Sequence, residues 1–221
     1  MPAILFGSIS TIADTSELQR ESFNEAFQTH GIDWNWSRDE YLPLLQSNGG
    51  AQRIADYASA QGEDIDAAAV HQTKSEVFQR KLSEARATAR PGVVETIQAA
   101  RADGVKVALV TTTARENVTA LLDGVDGLAA TDFDLITDAS SVEASKPDPA
   151  VYAHALDDLG EHATAAVAIE DNLGGVQSAQ AAGLRTIAFP NQNTAGHDFD
   201  AADERVERLD AEEVRALIAA A

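Results

Sequence analysis

The chain contains no cysteine. That excludes disulfides, thiol nucleophiles and Cys-ligated zinc, and it fits a cytoplasmic protein. No apolar run approaches the about 20 residues needed to cross a bilayer. The N-terminus lacks the basic segment and apolar stretch of a secretory signal. Positive charge is scarce: 16 Lys and Arg stand against 36 Asp and Glu, a formal net charge of −20. Without a Lys/Arg stripe to displace counterions, nucleic acid is not an expected partner, and neither is an anionic membrane. The acidic residues are scattered along the chain, as in a solvated shell suited to a salty cytoplasm. Walker-type and dinucleotide-binding glycine loops, internal repeats and low-complexity linkers are also missing.

With 221 residues, 44% of them apolar, the chain can bury one sizeable core and a smaller insertion. Five short apolar runs read as buried strands: 3–6, 105–110, 133–137, 165–169 and 185–189. Helical patterns separate the later ones, at 93–102, 115–122, 149–159 and 175–182. That alternation predicts an α/β fold, a doubly wound parallel sheet covered on both faces. Residues 16–88 interrupt it with helical patterns only, at 16–30, 37–45, 50–61 and 65–87. Ser16 and Gln19 have capping-box spacing. The expected organisation is an α/β core from 1–15 and 89–221, with 16–88 inserted as an all-α cap.

Ligands of such sheets bind beyond the carboxyl ends of the strands, where Gly7, Thr111 and Asp171 all fall. Thr111-Thr112-Thr113 follows a strand and precedes a helix. Its hydroxyls and N–H groups suit a phosphate, although Thr113 as a plain N-cap explains the run as well. Lys146, in Ser145-Lys146-Pro147-Asp148-Pro149, is one of only four lysines and suits an anion as a point charge; an ordinary helix start with Pro at its first turn is the alternative. Glu170-Asp171-Asn172 ends an apolar strand with oxygen ligands suited to Mg2+, or else with the cap of the next helix. Arg53, after Asn48-Gly49-Gly50, could clamp a phosphate in two-pronged fashion or lie on the surface. Trp34 and Trp36 read as packing anchors. No histidine has ligand spacing.

Thr111, Lys146 and Glu170-Asp171 resemble, in order and spacing, the second to fourth motifs of the haloacid dehalogenase (HAD) superfamily. Lys146-Pro147-Asp148-Pro149 and Glu170-Asp171-Asn172 are similar to its phosphoglycolate phosphatase, β-phosphoglucomutase and CbbY-like branch. Gly49-Gly50 before Arg53, and Asn191 to Phe199, lean towards the CbbY-like members. The resemblance implies a Mg2+-dependent phosphatase acting on a small phosphorylated metabolite. It implies Thr111, Thr112 and Lys146 at the phosphate, Arg53 as the cap's substrate contact, and Asp171 and Glu170 at the metal. The first motif departs from the pattern. Gly7 stands where the family has its nucleophilic Asp, and Ile9 where it has its acid/base Asp; Thr11 and Asp14 fix this register. No intact catalytic pair is therefore expected, and metal binding should be weakened. The expectation is a phospho-ligand-binding pseudoenzyme, the ligand being a small phosphorylated metabolite, an anion or a protein partner. The alternative is an active phosphatase with an unusual mechanism. Ser8 is the nucleophile nearest to Gly7, but no base is evident beside it.

Overall fold

The first strand, β1 (Ala3–Phe6), has four apolar side chains, all buried, so neither of its faces can look at water. The structure, a computed structural model, describes residues 2–7, 9–46 and 49–219. After β1 the chain makes a short helix α1 (Ile9–Ile12) and then four longer helices: α2 (Ser16–Thr29), α3 (Arg38–Leu44), α4 (Gly50–Gln61) and α5 (Ala67–Ala85). It returns to alternation with α6 (Val93–Ala102), β2 (Lys106–Leu109), α7 (Arg115–Gly124), β3 (Leu135–Ile136), α8 (Ala150–Leu159) and β4 (Ala166–Glu170). The remainder is α9 (Leu173–Ala181), β5 (Arg185–Ala188), β6 (Glu204–Arg205) and α10 (Ala211–Ala219).

The strands form one parallel sheet in the order β3-β2-β1-β4-β5-β6. The central position of β1, between β2 and β4, explains its unbroken apolar run. One face packs on α6, α7 and α10 through residues such as Phe6, Val107, Leu121 and Ile169. The other packs on α8 and α9 through Leu5, Ala108, Tyr152 and Ala168. The doubly wound sheet expected from the sequence is the observed one.

The helices of 16–88 hold their own apolar cluster. Phe23, Phe27, Trp34, Trp36 and Tyr41 lock together, with Phe27 and Trp36 edge-to-face at 4.7 Å between ring centroids. Trp34 and Trp36 are thus the packing anchors their sequence context suggests. Helix α5 joins both regions: Val70 belongs to the aromatic cluster, whereas Phe78 and Leu82 belong to the sheet-side core.

Two local expectations are corrected. Ser16 and Gln19 make no capping box: Thr15 occupies the N-cap position without a side-chain cap bond. Asp14 Oδ1 instead accepts from the Ser16 hydroxyl, 2.6 Å, and backbone N–H, 3.1 Å. The real box is at Ser37, whose Oγ accepts from Glu40 N while Glu40 Oε2 accepts from Ser37 N. Thr113 does not cap α7; Ala114 holds that position, and Thr113 Oγ1 accepts from Asn117 Nδ2 instead. Helices α1 and α10 and strand β6 have no counterpart in the sequence expectations. Two of them are too short for a period, and α10 carries a strongly acidic first turn.

Candidate functional site

Parallel strands end on the same side, and the ends of β1, β2 and β4 open into a crevice of about 470 Å³ beneath the helical block. That volume is within the range of small-molecule sites. Gly7, Thr111, Thr112, Lys146 and Asp171 all line it from the sheet, and Arg53 lines it from α4. Arg53 is 9% exposed, so it is not a surface arginine. Its Nε donates to Leu44 O at 2.8 Å and its guanidinium lies over Tyr41 and Phe23. Ser8 and Asn48 lie outside the described residues.

On the sheet side the threonine run is a tight turn. Thr111 N–H donates to Thr137 Oγ1, Thr137 Oγ1 donates back to Thr111 O, both at 2.8 Å, and Thr113 N–H donates to Thr111 Oγ1. Lys146 is buried at the base. Its Nζ donates to Gly7 O at 2.5 Å, Val110 O at 2.8 Å and Glu170 Oε1 at 2.6 Å. Tyr152 OH donates to the same Glu170 oxygen at 2.6 Å. Burial pushes the Glu170 carboxyl up against the opposing pull of Lys146, and burial with the Glu170 charge pushes Tyr152 well up. Glu170 is fully buried and is not among the described residues lining the crevice; its Oε2 has no hydrogen-bond partner among the described residues.

Asp171 does face the crevice, held by neighbours. Thr11 Oγ1 and Asn172 Nδ2 donate to its Oδ1, at 3.1 and 3.2 Å, and Asn191 Nδ2 donates to Oδ2 at 2.7 Å. Thr194 Oγ1 donates to its main-chain carbonyl. Asn172 also caps α9 through Gly175 N, so the cap reading of that amide holds beside the site reading.

The helical side carries residues the sequence reasoning passed over. Lys74, from α5, is 4% exposed; its Nζ donates to Gln19 Oε1 at 3.0 Å and lies about 5 Å above the rings of Phe23 and Phe78. Burial, and then the Arg53 charge, lowers its pKa to about 7. His71 lines the crevice too, and burial, with Lys74 and Arg53 adding, lowers it to about 4, so it is neutral at pH 7. The available signal for Lys74 was its place inside the apolar stripe Val70, Val77 and Phe78 of α5. Asp171 is the one acidic side chain among the described lining residues, against Arg53, Lys74 and Lys146. A molecule of net charge −20 thus places Arg53 and Lys74 on the helical side of the crevice, where the described lining residues carry no carboxylate, an arrangement suited to an anion there.

The profile of the haloacid dehalogenase-like hydrolases matches residues 6–189. The chain belongs to the haloacid dehalogenase-like hydrolase family. Within this family it falls in the CbbY-like branch. Protein CbbY of Rhodobacter capsulatus is 38% identical over 221 residues, covering 98% of this chain and 97% of that protein. Protein CbbY of Cereibacter sphaeroides is 40% identical over 205 residues, covering 91% and 89%. The crystal structure of CbbY from Rhodobacter sphaeroides in complex with phosphate superposes with a TM-score of 0.87 at 38% identity, over 94% of this chain and 95% of that one. A mutant of the same CbbY, in complex with xylulose-(1,5)bisphosphate, matches equally well.

Haloacid dehalogenase-like hydrolases generally use Mg2+. The donors of this chain, as arranged, offer that ion a single carboxylate in the crevice, Asp171. Gly7 offers no carboxylate, Glu170 is turned away into contact with Lys146 and Tyr152, and Asp171 accepts on both oxygens. Among the described residues no group of three or more His, Asp or Glu side chains could hold a metal. Mg2+ keeps several of its waters and is commonly held by one or two carboxylates together with substrate oxygens, and here the protein's contribution from the crevice wall is reduced to Asp171.

Proposed function

We propose that this chain binds a doubly anionic phosphorylated sugar in the crevice and does not carry out phosphoaspartyl transfer. The observation that carries the proposal is Gly7 at the end of β1. The position from which the family attacks phosphorus has no side chain, and the acid/base position is Ile9. Losing a catalytic nucleophile costs on the order of 10⁶ in rate, about 8 kcal/mol of barrier. The second loss need not add in full, because such residues act as a unit.

The binding half of the proposal rests on charge and reach. Thr111, Thr112 and Lys146 face one end of the ligand at the strand termini. Arg53 and Lys74 face the other end from the helical block, with Gln19 holding the Lys74 ammonium in place. Buried cations and N–H donors form their strongest hydrogen bonds with phosphate oxygens. The bisphosphate held by the neighbouring CbbY structure is a ligand of this kind. A second reading, an active phosphatase using a water nucleophile, is favoured by the retention of Thr111, Lys146 and Asp171 in a chain so similar to CbbY proteins.

The test measures binding and hydrolysis of one panel, xylulose 1,5-bisphosphate and sugar monophosphates, with and without Mg2+. Calorimetric binding without phosphate release, abolished in Arg53→Ala, is the expected result. Robust turnover that disappears in Lys146→Ala would overturn the proposal and establish the second reading.

A further inference from the structure

The seat of the missing side chain at position 7 is filled. Strand pairing fixes Phe6 opposite Ile169, and Gly7 N–H continues the ladder to Ile169 O at 2.8 Å, so position 7 lies beside Glu170. A Cβ built on Gly7 would overlap the Glu170 carboxyl group, with its carbon and both oxygens within 2.5 Å. A Cβ on Gly175, in the first turn of α9, would overlap the same three atoms. The carboxyl group is wedged between two glycines, fully buried, with Oε1 taking the Lys146 ammonium and the Tyr152 hydroxyl.

We propose that Glu170 occupies the seat vacated at position 7 and there serves as the internal counter-ion that positions Lys146, in place of ligating a metal. A buried ammonium needs a carboxylate partner, because either charge left alone in the interior is strongly unfavourable. In this chain Glu170 is that partner. A side chain at 7 and an inward Glu170 exclude each other sterically, so the two positions form a coupled pair. Restoring Asp at 7 alone would crowd a second carboxylate into an occupied space. The inference stands on packing around Lys146 and is independent of whether the chain turns over a substrate.

The experiment is a double-mutant cycle on the full chain: Gly7→Asp, Glu170→Ala, and both together, compared by thermal midpoint. Each single change is expected to lower the midpoint by about 5 °C or more. Gly7→Asp does so by overlap, and Glu170→Ala by stranding the Lys146 charge. The double variant moves the carboxylate across the pair and is expected to regain at least half of the summed loss. If a single variant fails to fold, recovery of folding in the double variant is the same result. Additive losses, or a Gly7→Asp chain as stable as the natural one, would overturn the proposal. A second arm reads Mg2+ at about 100 times a weak dissociation constant, where a specific site raises stability measurably. The response to Mg2+ is expected to be the same in Glu170→Ala and in the natural chain. A Mg2+ stabilisation that disappears in Glu170→Ala would make Glu170 a metal ligand and overturn it as well.

Discussion

At the scale of single residues, Lys74 is where charge and burial meet at the wall of the crevice. Packed over Phe23 and Phe78 and facing Arg53, it is held at a pKa of about 7. Free in an unfolded chain it would titrate near the ordinary lysine value of about 10.4. Between those two values the unfolded state binds more protons, so the contribution of Lys74 makes stability rise with pH from about 7 upward and levels off above the ordinary lysine value. Anion binding runs the other way, since the protonated ammonium is the form that attracts an anion. His71, lowered to about 4, stays neutral through this window and does not mimic the effect. Sulfate, whose charge is constant above about pH 4, is the clean probe. A hydrogen bond to a charged group contributes about 1.5–3 kcal/mol, so Lys74→Met is expected to weaken sulfate binding about tenfold or more at pH 6. By pH 9 the natural chain is expected to have lost most of that advantage, while the variant changes little across the range. Parallel pH profiles for the two chains would show that Lys74 does not contact the anion.

At the scale of elements, the junction between the helical block and the sheet is clamped by Arg90. Its Nη1 donates to Ser10 O at 3.2 Å and Phe189 O at 2.7 Å, and Nη2 donates to Pro190 O at 2.6 Å. The guanidinium lies 3.4 Å from the Phe189 ring centroid. One side chain thus satisfies carbonyls from α1 and from the chain leaving β5, close to where α5 returns to the sheet. Arg90→Ala would leave these buried carbonyls without their donors and is expected to cost about 2–4 kcal/mol. In a chain of this length that lowers the thermal midpoint by about 5–15 °C, as scanning calorimetry would register. A change within about 2 °C would mean that water replaces the guanidinium there.

The same scale explains what could be read in advance. Buried parallel strands are continuous apolar runs, so β1, β2, β4 and β5 announced themselves, and the topology carried Gly7, Thr111 and Asp171 into one crevice. Helices 50–61 and 93–102 were legible to the residue, because glycines at 49, 62 and 92 punctuate them. β3 falls inside the expected run 133–137 but is only two residues long, and β6, also two residues long at the sheet's edge, is too short and too exposed for any period to show. The sheet half of the site was legible since its residues follow strand ends. Most of the helical half was not, since Gln19, His71 and Lys74 converge only through the packing of α2 on α5, and no local pattern encodes that contact. The inward turn of Glu170 was equally hidden. The adjacent acids look alike in sequence, and only the strand register and the glycines at 7 and 175 separate one that faces the crevice from one that faces the interior.

For the whole molecule the dominant fact is a net charge of −20 on a folded surface that cannot spread those charges apart. The acidic excess is distributed along the chain, so folding brings like charges together on most faces and self-repulsion opposes the compact state. Against this stand surface ion pairs such as Arg80 with Glu25 and Lys81 with Glu21 and Glu25, on neighbouring helices α2 and α5. Exposed pairs of this kind contribute at most about 1 kcal/mol each, and 16 basic residues cannot neutralise 36 acidic ones. Repulsion therefore outweighs attraction in the long-range sum. Raising ionic strength from about 0.01 M to about 1 M shortens the screening length from about 30 Å to about 3 Å, removing the long-range repulsion while leaving buried contacts such as Lys146 with Glu170 in place. The thermal midpoint is expected to climb steadily over that range, equally in sodium and potassium chloride. A midpoint that falls with salt would show that surface ion pairs stabilise the fold more than the acidic shell strains it. A rise confined to one of the two cations would point to a specific cation site instead of screening.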